Sequence, residues 1–297
     1  MVAAPHTPFR PDGSLALDVI PQQVKLLVRN GVRGAFICGT TGEGASLSTP
    51  ERRAVAEAWR AATPASLALI VHVGHLSAAE SRGLARHAAE IEADAIATVA
   101  PSFFRPSRAV DLAGWCADVA GAAPELPFYY YHMPAMTGVT ISAAAFLAEA
   151  GPRIPNLAGI KFTHEDLMDY ATAAQVADRR YEILFGRDEI LLAGLALGAT
   201  GAVGSTYNFA APLYHRIMRA FAAGKLAAAR KEQERSMEFV QIMNRYGGLP
   251  ANKAMMKLAG VDCGPVRAPL PRLDRDAEKK LCADLRRVGF SAYASKP

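Results

Sequence analysis

The chain has few of the features that brace a small secreted domain or carry a protein across a bilayer. Its four cysteines, Cys38, Cys116, Cys263 and Cys282, lie far apart and form no CxxC pair. That excludes a disulfide framework and a cysteine-based structural zinc site, and it suits a reducing compartment. No run approaches ~18 uninterrupted apolar residues, so no membrane span is expected. Met1-Val2-Ala3-Ala4-Pro5 lacks a basic region followed by an apolar one, so no signal peptide is read and the cytoplasm is the expected location. Clusters of positive charge interleaved with aromatics are missing too. The net charge is a modest +5 over 297 residues and the arginines are scattered, which argues against a nucleic-acid partner and leaves a mild attraction for anionic metabolites.

Lysine is scarce through most of the chain. Lys161 is the only one between Lys25 and Lys225. It falls within Asn156-Leu157-Ala158-Gly159-Ile160-Lys161-Phe162, an otherwise apolar run with the composition of a buried parallel strand. A lone ammonium there costs several kcal/mol unless it is paired or neutralised. Burial lowers a lysine's pKa and frees the amine as a nucleophile toward carbonyls. The alternative is a lysine at the strand end paired to a carboxylate, with a purely structural role.

Short apolar runs alternate with helical patterns to about residue 223. Strands are expected at 2–4, 34–38, 68–73, 95–99, 127–131, 157–162, 182–185 and 201–203. Thr49-Pro50-Glu51 reads as an N-cap, a proline at the first helical position and an early acid; Ser77-Ala78-Ala79-Glu80 has capping-box spacing and opens a helix to about Glu92. Repeated β/α units predict a (β/α)8 TIM barrel over residues 1–223, with a doubly wound open sheet as the rival. The first strand begins almost at Met1, so either the opening edge is short or the true start lies upstream. Residues 224–297 read as a C-terminal helical extension packed on the barrel, with helices at about 226–246, through 257, and at 276–288.

A barrel of this kind works at the C-terminal ends of its strands. The second strand runs into Gly39-Thr40-Thr41-Gly42-Glu43-Gly44, whose glycines and hydroxyls suit a carboxylate or phosphate, or simply an ordinary βα turn. Alternation puts Tyr129 and Tyr131 on one face of the fifth strand and Tyr130 and His132 on the other. An inward tyrosine near Lys161 could relay protons; otherwise the cluster is packing. Asp188 and Glu189 suit a hydroxylated ligand, or serve as a cap and first-turn acid. Gly204-Ser205-Thr206-Tyr207-Asn208 would allow close approach of a ligand. His72 and His75 stand on opposite faces with no third ligand at a telling distance, so no metal is expected.

Taken together, Gly39-Thr40-Thr41-Gly42-Glu43, Tyr131-His132-Met133-Pro134-Ala135 and Gly159-Ile160-Lys161 resemble the dihydrodipicolinate synthase/N-acetylneuraminate lyase family over nearly the whole chain. The stretches 87–91, 127–132 and 198–208 look most like its sialate-cleaving branch. The resemblance implies a cofactor-free class I aldolase, acting on pyruvate and a 2-keto sugar acid, expected to cleave N-acetylneuraminate. Lys161 would form the Schiff base and Tyr131 would shuttle a proton. Thr40 and Thr41 would hold the pyruvate carboxylate, and Thr163, Gly186, Asp188, Glu189 and Ser205 the sugar. A homotetramer is the inherited expectation. Another 2-keto-3-deoxy sugar acid, or a non-catalytic binding role on the same fold, are the alternatives.

Three departures matter. Met136 stands where dihydrodipicolinate synthases carry an arginine for a second carboxylate, which disfavours that chemistry. Phe103 replaces a tyrosine that reaches across a subunit interface in many relatives. Arg187, between Gly186 and Asp188, could alter which sugar substituents are accepted.

Overall fold

A computed structural model describes residues 1–296. Eight parallel strands make one sheet: β1 (Val2–Ala3), β2 (Gly34–Ile37), β3 (Ala68–His72), β4 (Ala95–Val99), β5 (Phe128–His132), β6 (Leu157–Phe162), β7 (Glu182–Phe185) and β8 (Val203–Gly204). Each pairs with its sequence neighbour from β1 to β7, and β1 also pairs with β8. A parallel bridge from Phe185 to Ala202 completes the ring, so the two-residue β1 leaves no gap and the open sheet is excluded.

Around it lie α1 (Ile20–Arg29), α2 (Thr49–Ala62), α3 (Ala78–Glu90), α4 (Ala109–Ala120), the single turn α5 (Pro134–Thr137), α6 (Ala143–Ala150), α7 (Leu167–Gln175), α8 (Leu191–Ala196) and α9 (Tyr207–Ala222). Three further helices follow: α10 (Leu226–Arg245), α11 (Leu249–Leu258) and α12 (Arg275–Arg287). No helix of the described residues is long and apolar enough to cross a membrane.

Strand alternation divides the apolar residues into two layers. Phe36, Ile70, Ala97, Tyr131, Leu184 and Val203 fill the barrel lumen. Ala35, Ile37, Ile96, Phe128, Tyr130, Ile160 and Phe162 face outward into the larger core beneath the helices. Tyr130 and His132 point outward as alternation requires, Tyr130 against Phe146 and His132 stacked on Phe162.

Element ends differ from expectation by a residue or two. The cap of α2 is Ser48, not Thr49: Ser48 keeps an extended backbone, accepts from Glu51 N at 3.4 Å, and its own N–H donates to Glu51 Oε2 at 2.9 Å. Ser77 does precede α3, but its side chain makes no capping bond, and Glu80 instead accepts from Thr49 Oγ1 at 2.6 Å. β5 gains His132 because His132 O accepts from Thr163 N at 2.8 Å, prolonging the ladder toward β6. β8 sits later than expected, at Val203–Gly204.

Candidate active site

The barrel brings Lys161 and Tyr131 together through an irregularity. β5 and β6 start with Phe128 opposite Leu157, but Tyr129 then lies opposite Gly159, so Ala158 is an extra residue on β6. One inserted residue reverses the faces beyond it. Tyr131 therefore pairs with Lys161 instead of Ile160, and both side chains enter the lumen. A Cβ at Gly159 would stand 1.9 Å from Glu182 O, so the bulge needs glycine at this crowded point.

Lys161 is 4% exposed. Its Nζ lies 3.8 Å from the centre of the Tyr131 ring and 4.1 Å from that of Phe36, faces that attract a cation. No carboxylate of the described residues comes within ion-pair distance, so the structural pairing considered as an alternative is not formed. Tyr131 Oη lies 3.4 Å from Thr40 Oγ1, linking the strand-five tyrosine to the loop after β2. His72 lies edge-on to Tyr131, its ring centre 6.1 Å away. Burial, then the charges of Arg52 and Lys161, push His72 well below its ordinary pKa, so it is a neutral packing partner. His75 sits in the following turn, its Nδ1 accepting from Ser77 N at 2.9 Å.

The Gly39–Gly44 loop is wound tightly. Cys38 and Glu43 both take positive φ, and a Cβ on Gly44 would stand 1.9 Å from Cys38 O. Thr40 and Thr41 thereby face the pocket. Glu43 turns the other way. It is buried and meets Lys253 of α11 at 2.8 Å, and its other oxygen accepts from Arg267 N at 2.8 Å. Lys253 also donates to Thr7 O and Pro265 O. Glu43, a member of the expected carboxylate cradle, is thus the anchor of the helical extension.

On the opposite wall Asp188 is 5% exposed and accepts from Thr206 N at 2.9 Å and Thr206 Oγ1 at 2.6 Å. Its Oδ1 has no partner among the described residues and lies against Gly204, where a Cβ would approach to 1.7 Å. Burial raises this carboxyl to about 6 despite the bonds from Thr206. Gly186 leaves room for Thr163, whose Oγ1 would lie 2.1 Å from a Cβ there. Glu189 is more open, 3.5 Å from Arg187 Nε, while the Arg187 guanidinium also pairs with Glu165.

One pocket of about 390 Å³ collects all nine residues expected from sequence: Lys161, Tyr131, Thr40, Thr41, Thr163, Gly186, Asp188, Glu189 and Ser205. It also takes in residues that sequence reading missed. Val240, Met243 and Asn244 of α10, Gly248 before α11, and Leu249 and Asn252 of α11 complete its wall. Their only sequence signal is a helical apolar pattern, which does not say what the helix packs against. Met136 lines the pocket mouth, whereas Phe103 and Phe104 lie outside it, 75% and 85% exposed.

The barrel and this lysine-centred pocket define a class, and comparison with known proteins assigns it: the profile of the Dihydrodipicolinate synthetase family matches residues 1–288, and the chain belongs to that family. The chain is 44% identical to N-acetylneuraminate lyase of Mus musculus, over 99% of this chain and 94% of that protein. It is 46% identical to N-acetylneuraminate lyase of Gallus gallus, over 91% and 89%. The structure of Proteus mirabilis N-acetylneuraminate lyase superposes with a TM-score of 0.95 at 42% identity, covering 97% of this chain and 98% of that one.

Proposed function

We propose that this protein is a class I aldolase that reversibly cleaves N-acetylneuraminate to pyruvate and N-acetylmannosamine. The observation that carries the reading is a buried lysine without a carboxylate partner among the described residues, side by side with a tyrosine at the base of a pocket lined with hydroxyls and acids. Its near full-length identity to vertebrate N-acetylneuraminate lyases supports the choice of sugar.

In the cleavage direction, the Lys161 amine attacks the keto carbon of the open-chain sugar acid and water leaves, giving a protonated imine. Thr40, Thr41 and the N–H groups of their loop hold the carboxylate. Tyr131 gives its proton to the departing water, and its Oη then takes the proton from the hydroxyl on the far carbon of the bond to be broken. That carbon becomes the aldehyde of N-acetylmannosamine as the carbon–carbon bond breaks. Its electron pair passes into the imine, giving an enamine. Tyr131 returns that proton to the enamine carbon, and hydrolysis of the resulting imine releases pyruvate and restores Lys161. The imine is the electron sink, so the reaction needs no metal or organic cofactor.

Thr163, Gly186, Asp188, Glu189 and Ser205 take the hydroxylated chain. In this proposal residues 1–223 form the catalytic barrel, 224–297 complete its pocket wall, and the protein works in the cytoplasm. It assembles as a homotetramer, the state its family resemblance implies, and the exposed Phe103–Phe104 pair beyond β4 would suit a contact between copies.

The test is intact-mass analysis after borohydride reduction, with pyruvate and with N-acetylneuraminate in parallel. A pyruvate-sized adduct on Lys161 from both is the expected result. An adduct from pyruvate alone overturns the choice of sugar and keeps the aldolase. No adduct from either on folded protein overturns the aldolase and favours a binding role.

A further inference from the structure

The pocket wall formed with α11 ends in a chain of buried hydrogen bonds that the reaction above leaves unused. His6 is 1% exposed and Asn252 2% exposed. His6 Nε2 lies 2.6 Å from Asn252 Oδ1, and Asn252 Nδ2 lies 3.0 Å from Ser205 Oγ at the pocket surface.

The direction of the chain follows from counting donors. Burial, then the nearby Lys253 cation, pull the His6 pKa down to about 3 against the opposing effect of Asn252, so the ring is neutral with one N–H. Nδ1 is buried without a partner among the described residues. A proton on Nδ1 would leave a buried N–H orphaned, a costlier defect than a bare acceptor. The hydrogen therefore sits on Nε2 and donates to Asn252 Oδ1. That turns the amide so that Nδ2 faces Ser205, its other contact being the weak acceptor Met243 Sδ at 3.1 Å. Ser205 Oγ accepts, and its own O–H is left free to point into the pocket. Ser205 O is already used by Asn208 Nδ2 at 2.7 Å.

Resting on the aldolase reading of this site, we propose that Asn252, held by His6, is a positioning residue that sets the Ser205 hydroxyl as a hydrogen-bond donor to a neutral acceptor oxygen of the sugar. The helical extension thereby takes part in choosing the sugar. The barrel strands alone do not orient this hydroxyl.

The test is a double-mutant cycle on the full-length protein. Asn252→Leu removes the donor to Ser205. Asn252→Asp keeps the shape but offers only acceptors, so Ser205 must turn its hydrogen away from the pocket. Each is expected to raise KM for N-acetylneuraminate about tenfold, the worth of one hydrogen bond, with kcat nearly unchanged. KM for pyruvate in the condensation direction stays at the wild-type value. Ser205→Ala shows the same rise, and adding Asn252→Leu to it brings no further loss.

Additive effects, or an equal rise in KM for pyruvate, overturn the inference, since a merely structural Asn252 would disturb both substrates. Asn252→Asp, close to isosteric, keeps the test open should Asn252→Leu fail to fold. Borohydride trapping of the wild type separates the two layers. No adduct from N-acetylneuraminate overturns this inference together with the choice of sugar; a normal adduct with additive substitutions overturns this inference alone.

Discussion

Replacing Lys253 by methionine tests whether the helical extension is held to the barrel through a buried charge. The side chain is 3% exposed, its Nζ is 2.8 Å from Glu43 Oε1, and it donates to Thr7 O at 2.9 Å and Pro265 O at 2.7 Å. Methionine keeps most of the volume, so the cavity cost is small. What remains is an unpaired Glu43 carboxylate, itself 1% exposed. Breaking a buried pair from one side costs about 3–5 kcal/mol. For a chain of 297 residues the unfolding entropy is about 0.6 kcal/mol per kelvin, which converts that loss to a fall in Tm of about 5–8 °C.

Glu43 also shapes the loop that presents Thr40 and Thr41, so KM for pyruvate should rise in parallel. Neutralising the acid as well, in Glu43→Gln/Lys253→Met, should recover part of the loss, because no buried charge is left uncompensated. Reversible denaturant unfolding with thermal melts, on both singles and the double, measures this. A Lys253→Met loss under about 1 kcal/mol, or a double equal to the sum of the singles, would refute the reasoning.

Three further outcomes are expected. Lys161→Ala abolishes turnover and the borohydride adduct on a folded protein, whereas Tyr131→Phe slows cleavage yet still traps pyruvate; equal wild-type and Tyr131→Phe rates remove Tyr131 from the proton transfer. Asp188, raised to about 6 from an ordinary 3.8, holds its proton better when folded, so its contribution to stability is full below about pH 4 and is lost as pH rises through about 6. The Tm of wild type minus that of Asp188→Asn should accordingly fall between pH 4 and pH 7, and a flat difference contradicts a buried, raised carboxyl. Gly159→Ala should destabilise by about 3 kcal/mol, since its Cβ would meet the Glu182 carbonyl and no side chain can yield there; calorimetry showing no loss would mean that the bulge relaxes freely.

Much of the barrel was legible because parallel strands buried on both faces write themselves as apolar runs, and each of the eight expected runs is matched by a strand within a residue or two. The ends were less so. Thr49 was read as the cap of α2, and only the folded backbone shows that the cap lies one residue earlier, at Ser48. Side-chain facing in β5 was correctly read from alternation. The pairing of Tyr131 with Lys161 was not, because a bulge at Ala158 is a property of two strands meeting, and Gly159 alone does not give the register.

The same division runs through the site. All nine residues assigned to catalysis or binding reach the pocket, since a closed barrel gathers the C-terminal ends of its strands at one mouth, while Glu43 from the same loop turns away. The contributions of α10 and α11, the Glu43–Lys253 anchor and the His6–Asn252–Ser205 chain all join segments roughly 45 to 250 residues apart, over distances that local pattern cannot span. By itself the sequence determined the kind of fold and the lone lysine at its centre, because periodicity and burial are local demands on each segment. Tertiary structure alone decided which groups face that lysine and what holds them there, because hydrogen bonds and ion pairs depend on distances that exist only once the barrel has closed.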